Sequence, residues 1–293
     1  MELCIDFGGS EIKLAVLERG VPVRTGTVPV GEGDLEAAAA AARSLAEGLA
    51  PTAAGIAVPG VVDRAAGRMV RAHDKHPRLD GLDLTAWARD AFGLPAVVEN
   101  DARAALVGEI STGSAPGARN AVLMALGTGI GTAAVMDGVV LRGAHDHAGI
   151  LGGHLTVDLA AGRCNCGNVG CAESIGGAWA LRRDLAARGD GVADVKELFA
   201  AVEAGDRTAF PLYDRAVLAW SAAAVSLCHA YDPEVLILTG GIMRAGNLVA
   251  GPIEAYLGEH LWSSLEAPTI VIPDRPDLSV LRGLAVLAAD PHS

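Results

Sequence analysis

The chain has 293 residues, a formal net charge of -12 and 51% hydrophobic residues, many of them alanine, which suits two domains with helices packed closely through small side chains. A phosphate backbone is gripped by clustered Lys and Arg, so the acidic balance argues against a nucleic-acid-binding surface. No apolar run reaches roughly 18 residues, and Met1–Ser10 lacks the basic start and apolar stretch of a signal peptide, so a cytosolic protein without a membrane partner is expected.

Leu3 to Ile5 form an apolar run, Asp6-Phe7-Gly8-Gly9-Ser10 interrupts it, and extended character resumes from Lys13 to Leu17 before a turn at Arg19-Gly20. The same order returns from Ala121: an apolar run to Met124, the cluster Gly127-Thr128-Gly129-Ile130-Gly131, a run from Thr132 to Met136, and a turn at Asp137-Gly138. Gly127 and Gly138 stand 118 residues after Gly9 and Gly20, so the chain reads as duplicated. A dinucleotide fingerprint needs a helix directly after its glycines. Here an Asp-Gly hairpin signal follows instead. Both clusters therefore read as hairpin turns, ordinary ones or ones whose backbone N–H groups cradle phosphate.

Between the copies, Asp34 to Leu49 is built from good helix formers, with Asp34 placed to cap it. A strand over Gly55 to Val58 stops at Pro59-Gly60. Val70 to Leu84, with His73, Asp74, Lys75, His76 and Asp80, carries only loop signals, and such loops are solvated or carry substrate contacts. A helix over Thr85 to Phe92 ends at Gly93. The strand Ala96 to Glu99 then delivers Asn100 and Asp101 to its carboxyl end, where a helix over Ala102 to Ile110 begins. Open α/β sheets place their ligands at such ends. Asp101 has two readings, a plain helix cap or a carboxylate that takes a hydroxyl proton while Asn100 orients that hydroxyl.

His154, Cys164, Cys166 and Cys171 offer one imidazole and three thiols within eighteen residues. Gly162, Gly167 and Gly170 let the backbone turn so that the sulfurs can converge. The spacing fits neither a redox CxxC motif nor a paired disulfide framework. Three cysteines and a histidine suit tetrahedral Zn2+ held structurally, with every position filled by the protein. The stretch from Ala178 to about Tyr231 is helical, with Trp220, Cys228 and His229 in core or surface roles, and Cys4 reads as a small core residue. The strand Val235 to Leu238 runs into Thr239-Gly240-Gly241, a third glycine turn, and Leu278 to Ala289 reads as a closing helix.

Together these features resemble the ROK family of bacterial repressors, open reading frames and sugar kinases. The resemblance rests on Asp6-x-Gly8-Gly9-Ser10-x-x-Lys13, Val58-Pro59-Gly60-x-x-Asp63, Glu99-Asn100-Asp101-Ala102, Leu126 to Gly131, and Gly153-His154 leading to Cys164-x-Cys166-Gly167-x-x-Gly170-Cys171-x-Glu173. It implies an α/β fold of duplicated ribonuclease H-like (actin-like ATPase) type, two domains around a cleft, with a zinc-bound loop module. The expected N-terminal domain is 1–115, with the closing helix 278–290 packing back on it. The expected C-terminal domain is 116–277, including the module at 152–173.

The resemblance further implies an ATP-dependent sugar kinase using Mg2+ and structural Zn2+. Asp101 would be the general base, while Asn100, Gly60, His154 and Glu173 would contact the sugar. Asp6 would organise magnesium, Gly8, Gly9, Ser10 and Lys13 with Gly127, Thr128, Gly129 and Gly131 would grip phosphates, and Gly240 and Gly241 would border the adenosine. A homodimer is expected on the same ground. Two departures fall on the sugar side: Leu151 stands where relatives carry a glutamate three residues before the zinc histidine, and the stretch Pro77 to Leu84 lacks their tryptophan-bearing pattern. The competing expectation is a non-catalytic sugar sensor, although a first strand at Leu3 leaves no room for a preceding helix-turn-helix. A dinucleotide oxidoreductase is disfavoured by the hairpin after Gly131.

Overall fold

The computed structural model describes residues 1–71, 78–189 and 191–290. They fall into two compact units. The first comprises Met1–Gly117, Arg142–Ala148 and Pro273–Ser293, and the second Ala118–Leu141 and Gly149–Ile272.

In the first unit, β1 (Glu2–Phe7), β2 (Glu11–Glu18) and β3 (Val21–Pro29) form an antiparallel meander. After α1 (Asp34–Ala46), β4 (Ala53–Val58) joins β1 in parallel. A short hairpin, β5 (Val61–Asp63) with β6 (Arg68–Arg71), and α2 (Leu84–Phe92) precede β7 (Ala96–Asn100), which lies parallel to β4 and leads into α3 (Asp101–Ser111). The sheet order is β3-β2-β1-β4-β7.

The second unit repeats the plan. Its strands β8 (Ala121–Leu126), β9 (Ile130–Met136) and β10 (Val139–Val140) are antiparallel. The helices α4 (Ala172–Gly176), α5 (Ala178–Arg188), α6 (Val195–Glu203) and α7 (Phe210–Tyr231) follow. Then β11 (Val235–Thr239), α8 (Asn247–His260) and β12 (Thr269–Val271) complete a sheet of order β10-β9-β8-β11-β12, with β11 parallel to both neighbours. Two sheets of one topology are the duplicated ribonuclease H-like fold. The last helix, α9 (Ser279–Ala289), lies in the first unit.

Small residues make the helix crossings tight. A Cβ at Gly108 would stand 2.0 Å from the Ser279 carbonyl oxygen, and one at Gly283 would stand 1.7 Å from that of Ala104, so α3 and α9 meet backbone to backbone. The second core surrounds Trp220, fully buried, whose indole N–H donates to the Gly176 carbonyl at 2.9 Å. Cys4 and Cys228 are buried core residues.

Several local expectations are corrected. Gly33, in the left-handed region, holds the N-cap position of α1, and Asp34 is its first residue, lying 3.7 Å from the Arg78 guanidinium. Asn100, not Asp101, caps α3: its side-chain oxygen accepts from the Arg103 amide at 3.1 Å. The helix begins at Asp101, one residue earlier than a cap at Asp101 requires. Of the stretch Val70 to Leu84 expected as a loop, Val70 lies in β6 and Leu84 opens α2. His73, Asp74, Lys75 and His76 lie outside the described residues. Arg142–Ala148 belongs to the first unit rather than to a continuous 116–277 segment. Arg103 holds it there, donating to the carbonyls of Asp146 at 2.9 Å and Ala148 at 2.8 Å.

Candidate functional site

The first unit gathers its chemistry at the carboxyl ends of β1, β4 and β7. The Asn100 amide nitrogen donates to the Gly60 carbonyl at 2.9 Å and to Asp101 Oδ1 at 3.0 Å. Asp101 Oδ1 also accepts from the Ala102 amide at 2.8 Å. Fixed by these donors at the first turn of α3, the Asp101 carboxylate benefits from the helix dipole. Gly60 has φ +97, which only glycine adopts readily.

Asp6 sits near the end of β1, and its Oδ1 is buried without a hydrogen-bond partner among the described residues. Burial first, then the repulsion of Asp101, pushes its carboxyl up to about 7, against the pull of Lys13. A buried carboxylate oxygen lacking a donor beside a second carboxylate is a fitting donor set for a hard divalent cation such as Mg2+. Beyond Asp6, Gly9 and Ser10 are exposed, and a Cβ at Gly9 would meet nothing within 4 Å, so this turn has an open face.

Behind Asn100 and Asp101 lies a buried charge network that the sequence reading misses. Glu99 is 1% exposed. One of its oxygens accepts from its neighbour's amide at 2.8 Å, and the other meets Arg142 at 2.5 Å and Arg64 at 3.7 Å. Arg103, fully buried, stands 3.7 Å from it. The Glu99 to Arg103 spacing of i,i+4 is the one local signal in the sequence.

In the second unit, the turn from Gly127 to Gly129 joins β8 to β9, leading into Gly131 within β9. The amides of Ala178 and Trp179, opening α5, donate to the carbonyls of Gly127 at 3.0 Å and Thr128 at 3.1 Å. Thr128 is exposed. Gly240 follows β11 with φ +97, and a Cβ there would stand 2.3 Å from the Leu126 carbonyl oxygen, so the third glycine turn lies directly beside the second. At Gly241 a Cβ would meet nothing within 4 Å.

His154 closes a 3-10 turn at Gly152–His154, and Cys164, Cys166 and Cys171 come from the following loop. The four ligand atoms lie within 4.8 Å of one another. His154 Nδ1 and Cys164 Sγ are 3.7 Å apart, as are the sulfurs of Cys166 and Cys171. Tetrahedral zinc with bonds of about 2.3 Å to sulfur places its ligand atoms roughly 3.8 Å apart, so the cluster has the spacing of a zinc site. Burial and the adjacent thiols push Cys171 up to about 12, so a full thiolate set calls for a cation. Gly167 (φ +94) and Gly170 (φ +68) supply the left-handed turns, whereas Gly162 has no such conformation and no crowding.

Glu173, 6% exposed, accepts from the Ile130 amide at 2.8 Å with Oε2 and from the Trp179 indole at 3.3 Å with Oε1. Leu151, just before the 3-10 turn, is 44% exposed. Among the described residues no helix is long and apolar enough to cross a membrane.

Comparison with known proteins fits this geometry. A glucokinase of Thermotoga maritima is 35% identical over 224 residues, covering 72% of this chain and 70% of that protein. A glucokinase of Streptomyces coelicolor is 32% identical and covers 98% of this chain and 97% of its own. The crystal structure of a ROK family glucokinase from Streptomyces griseus in complex with glucose and AMPPNP superposes with a TM-score of 0.83 at 27% identity, covering 98% of this chain and 99% of that one. The ROK family model matches residues 2–291, and the chain belongs to that family as a kinase-type member.

Proposed function

We propose that the chain is an ATP-dependent carbohydrate kinase that transfers the γ-phosphoryl group of ATP to a hydroxyl of a monosaccharide or sugar derivative. The observation that carries this reading is the bonded pair Asn100 and Asp101 at the end of β7, in the same unit as the orphaned carboxylate oxygen of Asp6. Phosphoryl transfer asks a protein for positioning and charge neutralisation more than for covalent help. Asp101 takes the proton of the attacking hydroxyl, and its carboxylate is held in place for this by the Asn100 and Ala102 donors. Asn100 orients the hydroxyl, with Gly60 beside it. In the second unit His154 and Glu173 contact the sugar.

Gly8, Gly9, Ser10 and Lys13, with Gly127, Thr128, Gly129 and Gly131, form the two turns that hold phosphate oxygens, the Gly8 and Gly127 amides shaping the turns by donating to the carbonyls of Asp6 at 3.0 Å and Gly129 at 2.9 Å, and Gly240 and Gly241 border the adenosine. Asp6 would hold Mg2+, which supplies charge neutralisation for the phosphates when bound. His154, Cys164, Cys166 and Cys171 would hold Zn2+, which fixes the loop. A homodimer belongs to this reading, as does a reducing compartment, which a thiolate zinc site needs. Leu151 offers no acceptor for a sugar hydroxyl, so the sugar preferred here is expected to differ from that of relatives with a glutamate.

Replacing the base separates chemistry from binding. Asp101→Asn should lower turnover by about a thousandfold or more while the nucleotide dissociation constant stays within about threefold. Retained turnover would refute Asp101 as the base.

A further inference from the structure

The Ile130 amide lies at the point where the second glycine turn enters β9, in a residue only 3% exposed. A buried N–H must be paired, and the carboxylate of Glu173, 43 residues on, is its partner at 2.8 Å. The other Glu173 oxygen takes the Trp179 indole N–H. A Cβ at Gly129 would stand 2.3 Å from Glu173 Oε2, so the carboxylate occupies the space a side chain there would need. The turn is gripped on its other flank as well, since a Cβ at Gly153 would stand 2.1 Å from the Ile130 carbonyl oxygen. Gly153 directly precedes His154, and Glu173 follows Cys171 by two residues. The backbone that carries two of the four candidate metal ligands therefore bonds the Ile130 amide through Glu173 and packs closely on the Ile130 carbonyl through Gly153.

We propose that Glu173 is a positioning residue for the Gly127 to Gly131 turn, through which the zinc module sets the geometry of the nucleotide side. A contact to sugar alone accounts neither for the Ile130 bond nor for the glycine at 129. The step from turn geometry to nucleotide affinity rests on the proposed reading of this turn as a phosphate grip.

The test uses the full-length, zinc-loaded chain, with Glu173→Ala compared with wild type for zinc per chain, exchange of the Ile130 amide, and dissociation constants for AMPPNP without sugar and for glucose without nucleotide. Glu173→Ala should keep its zinc, exchange the Ile130 amide roughly tenfold faster or more, and bind AMPPNP about tenfold more weakly in the absence of sugar. Glu173→Gln keeps an acceptor for the Ile130 amide and should restore AMPPNP affinity to within about threefold of wild type. Unchanged Ile130 exchange with only glucose affinity reduced would overturn the proposal. Faster exchange with unchanged AMPPNP affinity would uphold the positioning role and refute the turn as a phosphate grip. If Glu173→Ala does not fold, Trp179→Phe, which removes the donor to the other oxygen, should still speed Ile130 exchange a few-fold, and no change would overturn the proposal.

Discussion

The two glycine turns descend from one plan but are finished differently. Phe7 pairs with Ile12 and Leu126 with Ile130, so four residues make the first turn and three the second. The first turn leaves its strand one residue past Asp6, whose own carboxylate is buried with one oxygen unpartnered among the described residues. The second leaves its strand with no acid, and a carboxylate from another element, Glu173, closes it with two donors in place. One copy thus buries a carboxylate whose chemistry suits a cation, while the other is closed by a carboxylate from the loop that carries the Cys3His cluster. Duplication supplied two similar hairpins, and their buried polar groups divide the work.

The largest effect that sharpens this contrast is expected at Asp6. Its folded carboxyl, at about 7, stands above its ordinary 3.8. The proton is therefore held more tightly in the folded than in the unfolded chain, and without a divalent cation stability falls as pH rises through the window from about 4 to about 7. Asp6→Asn removes that penalty, of order a few kcal/mol. It should raise Tm at pH 8 without magnesium, leave Tm nearly unchanged at pH 4, and reduce turnover by about a thousandfold. Melting curves at the two pH values with and without Mg2+ check this, and a variant less stable than wild type at pH 8 in metal-free buffer would break the distinction between the turns.

A smaller effect is expected on the braced side. Cys166→Ser weakens one of four ligands and should lower zinc content to well under one per chain and Tm by several degrees. Metal analysis alongside calorimetry reads both. Full zinc content in the wild type with no stability change in the variant would show that the loop does not depend on the metal.

The parts of this picture legible in the sequence are those whose partners are close along the chain. Both hairpins show as apolar runs broken by glycine, because a strand and its turn are local, and the Cys3His cluster shows because its residues crowd into one short segment. The Glu99 network is hidden because Arg64, Arg103 and Arg142 come from three separate segments. The bond from Ile130 to Glu173 spans 43 residues, and nothing in either residue's neighbours announces it. Gly129 reads as a phosphate-loop glycine, and its missing side chain is also what admits Glu173. Asn100 and Asp101 are both good caps, and only the exit of β7 decides that Asn100 takes the role and Asp101 stands in the first turn. Leu151 is readable as a departure from the family pattern, and it stands exposed at the edge of the 3-10 turn.

Sugar-dependent release of ADP from ATP and Mg2+ by the zinc-loaded wild-type chain tests the central claim most directly, across a panel that includes glucose and amino, N-acetylated and deoxy sugars. ADP release in equal amount to phosphorylated sugar is expected with at least one member of the panel, lowered about a thousandfold or more by Asp101→Asn. Silence across the whole panel, with clear binding of a sugar, would contradict a kinase and identify a sugar sensor instead.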